Sequence, residues 1–183
     1  FLFSQCRFLL GTTSGASEIA KVFGVPAALT NYIPMGHGAY SVKDIWIPKL
    51  YWSDTEDRYL TIAEVMQSPM RRFGKTEMFT EADLSWIDNS PEEILDLVGE
   101  MIDQLDGQAA RTPKDEELQR SFMTLLEYEP MFATNARVGR DFLQKYRKLL
   151  PDQDQDQDDT PHCQSSLSSS VEKLGVILEK ETS

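Results

Sequence analysis

The sequence predicts an α/β fold: a partial parallel sheet, then C-terminal helices and a disordered acidic tail. Three observations carry this. Residues 7 to 30 alternate apolar runs with one helical pattern. Residues 90 to 150 hold three amphipathic helical segments. From residue 151 the composition turns acidic and serine-rich, and stays so. Residues 1–150 are therefore expected to form one domain, and 151–183 a disordered tail.

Arg7 to Leu10 is continuously apolar after its first residue, as in a strand buried on both faces of a parallel sheet. Gly11 to Gly15 reads as a turn. From Ser17, the apolar residues Ile19, Ala20, Val22 and Phe23 recur at helical spacing, and Gly24 with Pro26 supplies the stop. Ala27 to Thr30 reads as the next buried strand, completing a right-handed βαβ unit. Residues 32 to 59, rich in Gly, Pro, Tyr and Trp, read as a long irregular connection of the kind that carries function. Thr61 and Glu64 form a capping box ahead of a short helix bearing Ile62, Val65 and Met66. Leu84 to Asp88 suggests a short strand. In "SPEEILDLVGEMIDQLDG", Ser90 caps, Pro91 takes the first helical position, Glu93 closes the box and Gly107 ends the helix. Its stripe is Ile94, Leu97, Val98, Met101, Ile102 and Leu105. A second helix starts at the Thr112-Pro113 cap, buries Leu118, Phe122, Leu125 and Leu126, and stops before Pro130. A third is expected from Asn135 to Leu150, with Val138, Phe142, Leu143, Tyr146 and Leu149 inward. The tail cannot offset its ordering entropy by apolar burial. Within it, a Ser169–Glu172 capping box precedes one marginal helical stretch, Val171 to Leu178.

Composition narrows the function. With 183 residues, 40% of them hydrophobic, the chain can bury a real core. Its formal charge is −12, of which five Asp, three Glu and two Lys in 151–183 supply −6. A protein that grips nucleic acid by its phosphates needs a positive surface, so nucleic acid is excluded as a partner. Two cysteines, Cys6 and Cys163, make no disulfide framework; a reducing compartment, the cytoplasm, is expected. No apolar run reaches the length of a membrane span, and "FLFSQCRFLL" lacks the basic start and cleavage site of a signal peptide. The chain opens without Met and within an apolar element, so it is expected to be the C-terminal part of a longer protein.

The run Thr12, Thr13, Ser14 falls where a strand hands over to a helix. There the opening amides lack intrahelical partners and carry the positive end of the helix dipole, which makes an anion site. Gly15 lets a ligand approach the backbone, and Thr12, Thr13, Ser14 and Ser17 can add hydroxyl donors. A diphosphate is the natural guest, in the crevice beyond the carboxyl ends of the strands. Glu18 could accept hydrogen bonds from ribose or sugar hydroxyls. The same residues also suit a plain helix cap.

"GTTSGASEIAKVFGVPAALTN" resembles the nucleotide-binding segment in the second Rossmann-like domain of GT-B glycosyltransferases. The bacterial heptosyltransferase pattern is Asp-Thr-Gly-x-x-His, an alanine-rich helix, Gly-x-Pro and a strand. Thr13, Ser14, Gly15, Glu18, Ala20, Gly24 and Pro26 fall on those positions without a gap. Thr13 stands where that pattern has Asp and Glu18 where it has His, which allows for a different substrate. The chain is more similar still to a family of bacterial glycosyltransferases in which "RFLLGTTSGASEIAKVFGVPAALTN" is followed by "IPKL", here Ile47 to Leu50, and later by "SPEEI". The resemblance implies that 1–150 is the C-terminal, nucleotide-sugar-binding part of such an enzyme, its Rossmann-like sheet truncated at the N-terminus. It implies that Thr12, Thr13, Ser14, Gly15, Ala16 and Ser17 hold the donor's diphosphate, with Glu18 and Asn31 as further substrate-binding residues. It also implies an unidentified acceptor, and an N-terminal domain of the same protein carrying the acceptor groove and general base.

Lys49, behind Trp46 and Pro48, could pair with a phosphate as the leaving group gains charge. His37, between glycines, could transfer a proton. Asn31 follows the second strand and should face the crevice, or serve as a turn residue. His162 and Cys163 have no zinc-site spacing, and neither metal nor cofactor is expected. Two other readings stay open: a nucleotide-sugar epimerase or related enzyme, and a non-catalytic helical interaction module with a decayed nucleotide site.

Overall fold

A computed structural model describes residues 2–126 and 135–151. The stop expected before Pro130, and the tail features from residue 152 onward with His162, Cys163 and the Ser169–Glu172 box, lie outside them. The described elements are α1 (Leu2–Gln5), β1 (Leu9–Gly11), α2 (Gly15–Val22), β2 (Ala27–Tyr32), β3 (Ile45–Pro48), β4 (Leu50–Ser53), β5 (Arg58–Tyr59), α3 (Ile62–Met66), α4 (Thr76–Glu81), β6 (Leu84–Ile87), α5 (Pro91–Leu105), α6 (Pro113–Leu126), β7 (Arg137–Val138) and α7 (Arg140–Lys145). Short 3-10 turns occupy Met35–His37, Pro69–Arg72 and Arg147–Leu149.

The fold is mixed α/β. Four parallel strands lie in the order β1-β2-β3-β7, and three antiparallel strands in the order β5-β4-β6. The βαβ unit read from residues 7 to 30 is present, with Leu9 beside Ala27 and Gly11 beside Leu29, but β1 is a partly exposed edge strand with Leu10 in solvent rather than one buried on both faces. Side chains alternate along β3, so one residue points to each face in turn. Trp46 meets Phe122 of α6 edge-on, their rings 5.7 Å apart. Ile47 lies beside Leu97 of α5, both reaching the space above Gly139. Helices thus cover both faces of the parallel sheet, and the buried core runs through it. The smaller sheet is closed by aromatics: the Phe79 ring lies 4.8 Å from Tyr51, 5.3 Å from Phe73 and 5.0 Å from Trp86.

Several elements differ from their sequence reading. Residues 32 to 59 are not one irregular connection, for β3, β4 and β5 lie within them. In "IWIPKLYWS" the β-branched and aromatic residues Ile45, Trp46, Ile47, Tyr51 and Trp52 favour strands, and Pro48 is tolerated at the last position of β3, beside the irregular pairing with β2. Residues 135 to 150 form β7, α7 and a 3-10 turn rather than one helix. Val138 is buried as expected, but as a strand residue completing the parallel sheet beside Trp46. Helix α2 starts at Gly15, and its inward residues are Ser17 and Ala20; Ile19, Val22 and Phe23 are exposed. The inner face of α5 includes Glu93 and Glu100 with Leu97 and Met101, while Ile102 is exposed. The capping boxes at Thr61–Glu64 and Ser90–Glu93 are both formed.

Candidate functional site

The carboxyl ends of β1, β2 and β3 lie side by side, so the segments that leave them share one edge of the sheet. After β1 the chain turns through Thr12, Thr13 and Ser14, which are exposed together with Gly15 and Ala16. The Ser14 side chain makes no capping hydrogen bond, so its hydroxyl does not take up the amides that open α2. A Cβ placed on Gly15 would meet no atom within 4 Å. The turn is therefore open at the point where its amides begin.

The remaining candidates in this segment are engaged. Ser17 is buried, and its hydroxyl and amide both donate to the Ser14 carbonyl, at 2.6 and 3.1 Å. Thr13 Oγ1 accepts from the Ile33 amide at 3.3 Å, joining the segment after β1 to the one after β2. Glu18 is exposed and pairs with Lys21 at 2.8 Å, and the Lys21 ammonium stands 5.1 Å from the Tyr40 ring centre.

Asn31 marks an irregularity in the pairing of β2 with β3. Leu29 sits beside Trp46 and Tyr32 beside Pro48, so β2 spends one residue more than β3 over that span. The extra residue is absorbed where Asn31 adopts φ 50°, a left-handed conformation that Asn tolerates better than most. The irregularity returns Tyr32 to the Trp46 face, where the two rings lie 4.9 Å apart. It also presents Asn31 to Asn89. The Asn31 amide donates to Asn89 Oδ1 at 2.5 Å, and the Asn89 amide donates to Asn31 Oδ1 at 2.7 Å. Asn89 Nδ2 donates in addition to the Pro48 carbonyl at 2.9 Å. One buried side chain therefore ties the ends of β2 and β3 to the start of α5.

Lys49 is the single residue between the two sheets. Its amide donates to the Tyr32 carbonyl at 3.2 Å, fixing it to the end of β2. Its ammonium pairs with Asp88 at 2.7 Å and lies 4.9 Å from the Trp86 ring centre. The antiparallel register explains the pairing: Leu50 is opposite Ile87, so the next residues outward, Lys49 and Asp88, meet. The Lys49 side chain is only 17% exposed, which makes it a held cation rather than a freely solvated one. His37 closes the 3-10 turn at 35–37 and is half-buried. That turn is wedged against residues 69–72: a Cβ on Gly36 would stand 2.8 Å from the Arg71 carbonyl oxygen.

Thr13, Asn31 and Lys49 are thus brought to one edge, next to the open Thr12–Ala16 turn. Asp88, Asn89 and Trp86 belong to the same edge and were not singled out from sequence. The signal available was the polar pair Asp88-Asn89 directly between a strand and the Ser90 cap. Among the described residues no group of three or more His, Cys, Asp or Glu could hold a metal ion, and no helix is long and apolar enough to cross a membrane. In comparison with known proteins, the chain matches no family model, no curated protein and no solved structure.

Proposed function

We propose that this chain is the nucleotide-sugar-binding portion of a GT-B-like glycosyltransferase, with the turn from Thr12 to Ser17 holding the donor's diphosphate. The observation that carries this reading is the open, uncapped start of α2 at the carboxyl end of a parallel strand. A helix opening of this kind favours a dianion through its free amides and dipole. Thr12 and Ser14 flank it with exposed hydroxyls.

In the reaction, an acceptor hydroxyl attacks the anomeric carbon of the sugar and the nucleoside diphosphate departs. Negative charge grows on the departing oxygen, and the amides of Gly15 and Ala16 stabilise it without reorganising. Lys49 stands two strands across, about 10 Å at the spacing of adjacent strands. Held between Asp88 and Trp86, it supplies a positioned cation that can shift toward the phosphates as their charge rises. Thr13 and Asn31 act as positioning residues, because their side chains already hold neighbouring strand ends. His37 is the candidate proton-transfer group of the described residues, and the acceptor is left unassigned.

The experiment is a titration of UDP, GDP, ADP and CDP against the chain, Gly15→Ala and Gly15→Asp. Space around Gly15 means that both variants fold, and an Asp in the first helical turn suits the helix dipole. At least one diphosphate should bind, and Gly15→Asp should weaken it tenfold or more, about 1.4 kcal/mol. Its melting temperature should be unchanged. If none of the four binds the parent chain, or the Asp variant binds equally well, the reading fails.

A further inference from the structure

A groove of about 650 Å³ lies at the opposite edge of the parallel sheet, where the strands begin. It is independent of the turn at Thr12–Ser17. Pro26 precedes β2, Val42 and Lys43 precede β3, Arg137 opens β7, Gln104 and Leu105 end α5, and Gly107, Ala109 and Arg111 lie between α5 and α6. Its size falls within the roughly 300–1,000 Å³ typical of small-molecule sites.

Charge sets this groove apart. In a chain of formal charge −12, the described residues lining it include Lys43, Arg111 and Arg137 and not one carboxylate. Arg137 is committed, its guanidinium meeting Glu116 at 3.2 and 2.8 Å. Lys43 and Arg111 are exposed and form no ion pair among the described residues. The walls are nonetheless organised. Gln104 Nε2 donates to the Lys43 carbonyl at 3.1 Å, and Gln104 Oε1 accepts from Arg111 Nη2 at 3.0 Å, so one side chain bridges the two loops. Arg140 Nη1 donates to the Ala110 carbonyl at 3.2 Å, and Arg7 pairs with Asp106, which pins the α5–α6 connection from both sides. Beside Gln104 and the cations, the lining includes the apolar residues Pro26, Val42, Leu105 and Ala109.

We propose that this groove binds a small organic anion, its charged group between Lys43 and Arg111 and its apolar body against Val42 and Leu105. An oxyanion there would meet an ammonium and the unengaged guanidinium donors of Arg111, giving charge-assisted hydrogen bonds. Removing the apolar body from water adds affinity that a bare ion lacks. The site differs from the diphosphate turn in using side-chain charge rather than backbone amides.

The test follows amide chemical shifts of the full chain as phenyl phosphate, inorganic phosphate and benzyl alcohol are added in turn. Phenyl phosphate should move the amides of Lys43, Gln104, Gly107 and Arg111 and bind more tightly than inorganic phosphate. Benzyl alcohol should bind weakest. The double variant Lys43→Glu with Arg111→Glu should lose at least tenfold in affinity, and the pair Lys43→Gln with Arg111→Gln should fall between it and the parent. Gly15→Asp should leave this binding untouched. The proposal is overturned if phenyl phosphate moves none of these amides at millimolar concentration, if benzyl alcohol or inorganic phosphate binds as tightly, or if charge reversal leaves the affinity unchanged.

Discussion

Glu93 and Glu100 lie two turns apart on α5, both buried, and their carboxyls are displaced in opposite directions. Burial alone would raise both. At Glu93 it is outweighed by hydrogen bonds from Lys145 Nζ at 2.7 Å, the Tyr146 hydroxyl at 2.6 Å and the Ser90 amide at 2.8 Å, which hold the carboxyl below the ordinary range. Burial, together with the Glu93 carboxylate that accepts its hydrogen bond, pushes the Tyr146 hydroxyl up to about 12. At Glu100 burial prevails over the Arg140 amide, which donates at 2.7 Å, and the carboxyl is raised. The signs follow by linkage. Stability contributed by Glu93 is present above the unfolded value of about 4.3 and is lost as pH falls through the lower folded value. Stability linked to Glu100 is present below that unfolded value and is lost as pH rises through the higher folded one. Glu93→Gln should therefore cost about 1–3 kcal/mol near neutrality and flatten the acid limb of the stability profile. Glu100→Gln keeps an acceptor for the Arg140 amide, and should gain on the parent as pH rises from 4 to 8. Denaturant melts across that pH range check both, and profiles parallel to the parent would refute the assignment.

Among the elements, those with strong local chemistry were legible. Two capping boxes marked the starts of α3 and α5, and Leu118, Phe122, Leu125 and Leu126 read correctly as the buried stripe of α6. The βαβ unit was legible because apolar runs flank a glycine-rich turn. What failed was decided by tertiary partners. Helix α2 leaves Ile19, Val22 and Phe23 in solvent because it turns Ser17 and Ala20 inward, a choice that no periodicity of apolar residues announces. On α5, Glu93 and Glu100 face inward because α7 and the Tyr146 that caps it bring Lys145, the Tyr146 hydroxyl and the Arg140 amide to meet them. The open turn at the candidate site was read from sequence, whereas the Asn31–Asn89 clamp needed the irregular pairing of β2 and β3 to bring residues 58 positions apart together. Gly139 stands where 135–150 divides, as the cap of α7. A Cβ there would lie 2.9 Å from Ile47 Cγ2 and 3.0 Å from Leu97 Cδ1, so the passage from β7 to α7 threads between a strand and a helix. Gly139→Ala should destabilise the protein by about 1–3 kcal/mol through overpacking, measurable as a drop in the denaturant midpoint. A midpoint equal to the parent's would show that the two neighbours give way freely.

At the level of the whole molecule, the shortest covalent link between the parallel and antiparallel sheets is one residue, Lys49, and Asn89 cross-braces it. In a strand, residues address the two faces alternately, so the joint acts as a parity count. Adding a single alanine on either side of Lys49 would put every residue of β4 out of phase. Tyr51, fully enclosed among aromatics, would exchange places with the half-covered Trp52, and the Lys49–Asp88 register would be lost. The same alanine inserted among Asp54 to Asp57, where the chain reverses between β4 and β5, keeps the count intact upstream. The first insertion should abolish cooperative unfolding and the second should preserve it. The segment "IPKL" therefore constrains evolution as strictly by its number of residues as by their chemistry.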